Sequence, residues 1–170
     1  RKVEDGLFLG FLQDNYQAQV DPFEGYSQYF QILDLPNLNL VGDPNGTWLN
    51  PSSFWQYSFV SEFGRDLDLS INDDNEIFYF TSLSEFFAGP DIYLRKIDMG
   101  GNIYWEAPIN LTNEPSYDNF VKKAFNNPEQ GSFLVYNQQG SENLGFVLSV
   151  DQDADIISGF PKRISDYDSD

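Results

Sequence analysis

The sequence predicts an all-β fold of antiparallel strands, and three observations carry that reading. Short runs rich in β-branched and aromatic residues alternate with turn chemistry along the chain. No segment sustains a helical period over three turns, although residues 117–125 have the length and spacing of a short helix. The stretch 91–112, DIYLRKIDMGGNIYWEAPINLT, reads as a hairpin about Gly100-Gly101, the dipeptide a two-residue type I′ turn favours. That loop sets Ile97 opposite Tyr104, Lys96 opposite Trp105 and Arg95 opposite Glu106, which pairs an aliphatic with a ring, a cation with an indole, and two opposite charges.

In chain order, residues 7–12 form an apolar run short enough for a buried strand, and 14–25, broken by Pro22, read as a loop. Residues 26–35 alternate as a strand does until Pro36 ends the pattern. Asp43-Pro44-Asn45-Gly46 is turn chemistry that delivers the chain to Trp48. The run FWQYSFV follows at 54–60, and residues 66–76 read as an acidic connection. Residues 77–81, IFYFT, are the clearest buried strand, with a loop expected at 82–90 before the central hairpin. Further runs at 120–125, 132–137, 144–150 and 156–164 are separated by turns at 126–131 and 138–143, and Gly159 and Pro161 interrupt the last run.

Composition narrows function by exclusion. A chain of 170 residues with 41% hydrophobic and 17% aromatic content can bury a core without staples, as one domain or as part of a larger assembly. A formal charge of −18 argues against nucleic acid and anionic lipid as partners. The sequence contains neither cysteine nor histidine, which removes disulfides, thiolate nucleophiles, the usual zinc ligands and Ser-His-Asp machinery. No apolar run reaches the length of a transmembrane helix. The sequence starts at Arg1 with no signal peptide, which reads as a processed protein. The glycosylation-type triplets at Asn45 and Asn110 are short enough to occur by chance. The expected setting is secreted or cell-surface, on a bacterial outer membrane or in the periplasm, with attachment through a lipid or a larger complex.

Three places share a form: ILDL, KIDM and SVDQ each close a strand on Asp34, Asp98 or Asp151 before a turn and another strand, and they divide the chain into units 1–53, 54–112 and 113–170. The strand-Asp-Gly-Trp pattern of DIYLRKIDMGGNIYW resembles the outer strands of secreted β-propeller blades of the TolB-like and quinoprotein-like kinds. VDQDADIISGFPKRISDYDSD resembles blades with FG-GAP-type loops. The resemblance spans residues 66–170 and implies propeller-like blades, the chain being a single β domain or part of a larger propeller, with a β-sandwich as the alternative packing.

Three site readings follow. Asp151, Asp153 and Asp155 have the alternate spacing with which carboxylates converge on calcium, and Asp166 and Asp168 repeat it. Ile156 stands where an EF-hand-type loop has Gly, and Lys162 where it has Glu. A third acidic cluster comprises Asp66, Asp68, Asn72, Asp73, Asp74 and Glu76; the alternative for all three is solvated turns. Trp48, Trp55, Tyr57 and Trp105, together with Tyr26 and Tyr29, are candidates for a platform that stacks a sugar ring, each competing with a place in the core. Finally, Asp43-Pro44-Asn45-Gly46 matches part of the nucleophile motif of fructan-cleaving propeller hydrolases, but the accompanying Arg-Asp-Pro and Glu-Cys pairs are missing. The expectation is a binding module without catalytic machinery, recognising a glycan first and a surface protein second.

Overall fold

Three antiparallel sheets account for all the regular structure among the described residues, which in this computed structural model are 2–3, 6–14, 26–34, 37, 39–42, 47–48, 67–84, 89–105, 107–114, 116–128 and 131–167. Each sheet comes from one contiguous stretch of chain. The first contains β1 (Lys2–Val3), β2 (Gly6–Asp14), β3 (Tyr26–Asp34), β4 (Asn39–Val41) and β5 (Thr47–Trp48), with β4 and β5 in turn along one edge of β3. The second runs β6 (Leu67–Ile71), β7 (Ile77–Ser84), β8 (Pro90–Ile97) and β9 (Ile109–Asn110). The third runs β10 (Asp118–Asn127), β11 (Gly131–Gln139), β12 (Asn143–Val150) and β13 (Lys162–Tyr167). Among the described residues there is no helix, and so none long and apolar enough to cross a membrane.

The second sheet lies between the other two and buries both faces. Alternation along IFYF sends Ile77 and Tyr79 one way and Phe78 and Phe80 the other. Ile77, Tyr79, Leu69 and Ile97 close a seam with Phe30 and Ile32 of the first sheet. Phe78, Phe80, Ile92 and Leu94 close a second seam with Val121, Ala124, Leu134, Tyr136, Leu148 and Val150 of the third. Each such buried side chain contributes about 1.5–3 kcal/mol through its removal from water, so these two seams are the core.

Polar groups lock the second seam. β10 is an edge strand, and two of its outward amides donate to side chains of the second sheet: Val121 N–H to Ser82 Oγ at 2.9 Å and Ala124 N–H to Asp68 Oδ2 at 2.9 Å. The register shifts between Val121 and Lys123. That bulge explains why residues 117–125 imitate a helix in sequence. It puts Val121 and Ala124 on one face three positions apart, a spacing a regular strand does not give.

Two further expectations are corrected. The acidic stretch 66–76 contains strand β6, whose Leu67, Leu69 and Ile71 alternate toward the first sheet while Asp68 and Ser70 face the third. The central hairpin is one residue out of register with the two-residue loop. Ile97 pairs with Ile103, the Tyr104 amide donates to the Lys96 carbonyl at 3.0 Å, and only Gly101 of the two glycines has positive φ, at 84°. The reason is Asp98, whose carboxylate accepts both the backbone and side-chain amides of Asn102 at 2.8 Å each and so closes a three-residue loop. The slip places Tyr104 over Lys96 in place of Trp105, and the Arg95 guanidinium donates to the Trp105 carbonyl; Glu106 lies outside the described residues.

The same loop recurs at 72–76, 98–102 and 151–155. In each, the first residue's N–H donates to the fifth residue's carbonyl at 3.0 Å, and the fourth residue's N–H returns to the first residue's carbonyl. The side-chain oxygen of Asn72, Asp98 or Asp151 then accepts the fifth residue's N–H at 2.8, 2.8 and 3.0 Å. The fourth residue sits at positive φ, 61° at Asn75, 84° at Gly101 and 70° at Ala154. This is a type I turn with a left-handed bulge residue, fastened by an Asx cap.

Candidate functional site

Several carboxylates within the described residues serve as turn caps or as pins between sheets. Asp151 Oδ1 accepts the amides of Asp153 and Asp155 at 2.9 and 3.0 Å, while the side chains of those two residues are exposed. Asp166 lies in β13 opposite Leu144, and Asp168 and Asp66 lie outside the described residues. No group of three or more acidic side chains placed to hold a metal ion occurs among the described residues.

In the third acidic cluster, Asp68 meets the Lys123 ammonium at 2.7 Å as well as the Ala124 amide. Burial pushes its carboxyl up, but the lysine and the amides outweigh burial and hold it below the ordinary aspartate value. Glu76 Oε2 takes Lys96 Nζ at 2.8 Å and Asn72 Nδ2 at 2.8 Å. The Glu76 carboxyl is also lowered, burial being overcome by hydrogen bonds from Lys96, Asn72 and Tyr104. Lys96 Nζ reaches across the seam to the Gln152 carbonyl at 3.0 Å and stands 4.6 Å from the Tyr104 ring centre. Asp73 and Asp74 accept side-chain amides of Asn126 and Gln152 from the third sheet, at 3.0 and 3.4 Å.

Toward the other end of β8 a second polar network joins the same two sheets. Asp91 accepts Thr112 Oγ1 at 3.0 Å, Asn110 Nδ2 at 3.3 Å and Asn119 Nδ2 at 3.3 Å. Gln138 Nε2 extends it to Glu114 at 2.9 Å and to Asn119 Oδ1 at 3.3 Å. Buried polar groups need such partners, and here they find them in one another.

The four aromatic candidates are not brought together by anything described. Trp105 is partly buried against the core. Trp48 lies in β5 opposite Tyr29, while Trp55, Tyr57 and residues 43–46 lie outside the described residues. Tyr104, which sequence reasoning set opposite Ile97, is 49% exposed, hydrogen-bonds Glu76 and has Lys96, Asp98 and Asp74 near it in the fold.

What sequence reasoning missed is the outward face of the third sheet. Phe133 pairs with Ser149 two positions before Asp151, as Phe78 pairs with Lys96 two positions before Asp98. By the same registers Val135 corresponds to Phe80 and Val147 to Leu94. Phe78, Phe80 and Leu94 are fully buried under the third sheet, whereas Phe133, Val135 and Val147 are partly exposed. Phe125, cross-strand from Phe133, is 47% exposed. Phe160 tilts against Phe133 with ring centres 6.1 Å apart, and Lys162 Nζ stands 4.8 Å from the Phe160 ring centre. The signal was legible in SFLVYN, whose odd-numbered and even-numbered positions are both rich in apolar residues, the mark of a strand with two faces to cover.

Compared with known proteins, the chain matches no family model, no curated protein and no solved structure.

Proposed function

We propose that this chain is a non-catalytic binding module of propeller-like blades that acts outside the cell and engages a protein partner through the outward face of its third sheet. The observation that carries this reading is the apolar strip of Phe125, Phe133, Val135, Val147 and Phe160, partly open where the corresponding residues of the second sheet are buried. A contiguous apolar patch of this kind is characteristic of protein interaction sites. The blade reading draws its support from three consecutive antiparallel sheets stacked face to face, the second and third of which share an Asx-capped loop. The acidic, cysteine-free composition supports a bacterial surface setting.

Tyr104, exposed beside Glu76, Asp98 and Asp74, favours a second reading in which a sugar ring stacks at the hairpin end.

Surface labelling separates the two. The purified chain carrying a proximity label is applied to intact cells, alongside Phe125→Glu and Tyr104→Ala. The protein reading expects a labelled protein that Phe125→Glu loses and Tyr104→Ala keeps. A thermal midpoint raised by one soluble polysaccharide and insensitive to it after Tyr104→Ala would replace it with the glycan reading. The same melt with calcium and with chelator tests the aspartate loops.

A further inference from the structure

The two outer faces of the stack are of opposite kinds. Both seams among the described residues join a forward face, such as that of Phe78, Phe80 and Leu94, to the backward face of the next sheet, such as that of Leu134, Leu148 and Val150. The third sheet leaves a forward face, that of Phe133, Val135 and Val147. Among the described residues the first sheet leaves a backward face, that of Leu33 and Leu40. Leu33 immediately precedes Asp34, as Ile97 precedes Asp98 and Val150 precedes Asp151. Ile97 and Val150 are fully buried against the sheet before them, whereas Leu33 is partly exposed. Leu40, paired with Leu33, is 49% exposed, while its counterpart Ile103, paired with Ile97, packs into the first seam.

We infer that the third sheet of one molecule docks on the first sheet of a second copy, head to tail, repeating between molecules the seam that joins sheets within one. The inference rests on the protein-binding reading of that face and names its partner. Such a contact is heterologous: it uses two different surfaces and propagates into a ring or an open chain. Charge modulates it. Copies of a chain with formal charge −18 repel one another, so salt that screens the repulsion strengthens association. Of the nine basic residues, Lys162 lies on the docking face itself, beside Phe160.

The test is sedimentation velocity of the whole chain from micromolar to sub-millimolar concentration, at low and high salt. Self-association that grows with salt is expected. Phe125→Glu and Leu40→Glu change half-exposed residues and leave the core intact; each weakens association at least about tenfold. Mixed in equal amounts, the two variants recover a one-to-one dimer and nothing larger, because each retains one of the complementary faces. Lys162→Glu, on the same outward face, gives the same result as Phe125→Glu should that variant not melt cooperatively. A wild-type chain that stays monomeric at high salt, or a variant mixture that stays monomeric, overturns the inference. Loss of the cell-surface label with Phe125→Glu would then still uphold a different protein partner, so the two failures are distinct.

Discussion

Ser70 Oγ and Ser132 Oγ lie 2.6 Å apart in the seam between the second and third sheets, both fully buried. Ser132 also directs its hydroxyl to the Phe125 carbonyl at 3.1 Å, which makes Ser70 the donor to Ser132. Ser70→Ala therefore removes one hydrogen bond and costs about 1 kcal/mol, while Ser132→Ala also deprives the Phe125 carbonyl and costs more, about 2 kcal/mol. Chemical denaturation of both single variants and the double variant measures this. A coupling near zero would show that the two hydroxyls do not act together.

Asp68 predicts an acid sensitivity with a definite sign. Its folded carboxyl titrates below the ordinary 3.8, so the folded state binds fewer protons than the unfolded state in that range. Its stabilisation is complete above pH 3.8 and is lost as pH falls through the lower folded value. Asp68→Asn should cost about 1–3 kcal/mol at neutral pH, and the gap between variant and wild type should close below pH 3.8. Melts of both proteins across the acid range measure the gap, and a gap constant with pH would contradict the assignment.

Lys96 is 6% exposed and is held by Glu76, the Gln152 carbonyl and two rings. Lys96→Met keeps the volume but strands the Glu76 carboxylate, at a cost of about 3 kcal/mol. Adding Glu76→Gln should return part of that loss. Equilibrium unfolding of the pair tells whether the ion pair or the lysine stem matters more, since a stem contribution alone would give no recovery.

The shared loops yield a prediction that separates backbone from packing. At Gly101 a methyl would find its nearest neighbour, Phe30 Cε2, at 3.9 Å, so there is room. Gly101→Ala should nonetheless cost about 1 kcal/mol, because φ of 84° is strained for any side chain. Asn75→Gly, at φ 61°, should be neutral to slightly stabilising in the same unfolding measurement.

The all-β class and most strand positions were legible because alternation and turn residues are local signals. Residues 77–81 read as a buried strand, and β7 is one, with a sheet on each side. Failures came where a side chain redirected the backbone. Asp98 lengthened the central loop and slipped its register, and Lys122 sits in a bulge that gave β10 the spacing of a helix. β6 was hidden because Asp68 and Ser70, polar in sequence, face a seam in which their partners lie more than fifty residues away. The outward face escaped notice for a related reason: its exposure is set by which neighbouring sheet is present, a property no local pattern encodes. A spacing went unnoticed as well, for Pro44, Pro108 and Pro161 each stand ten positions beyond Asp34, Asp98 and Asp151.

Ser82 and Asp68 hold β10 in part by its main-chain amides, and that part of the grip does not depend on which side chains β10 carries. A seam fastened through the backbone tolerates drift in the strand it holds. The second and third sheets, with little sequence in common beyond an aspartate and a proline, can therefore keep one four-strand order, and a sheet of this kind tolerates divergence without losing its fit to the one before it.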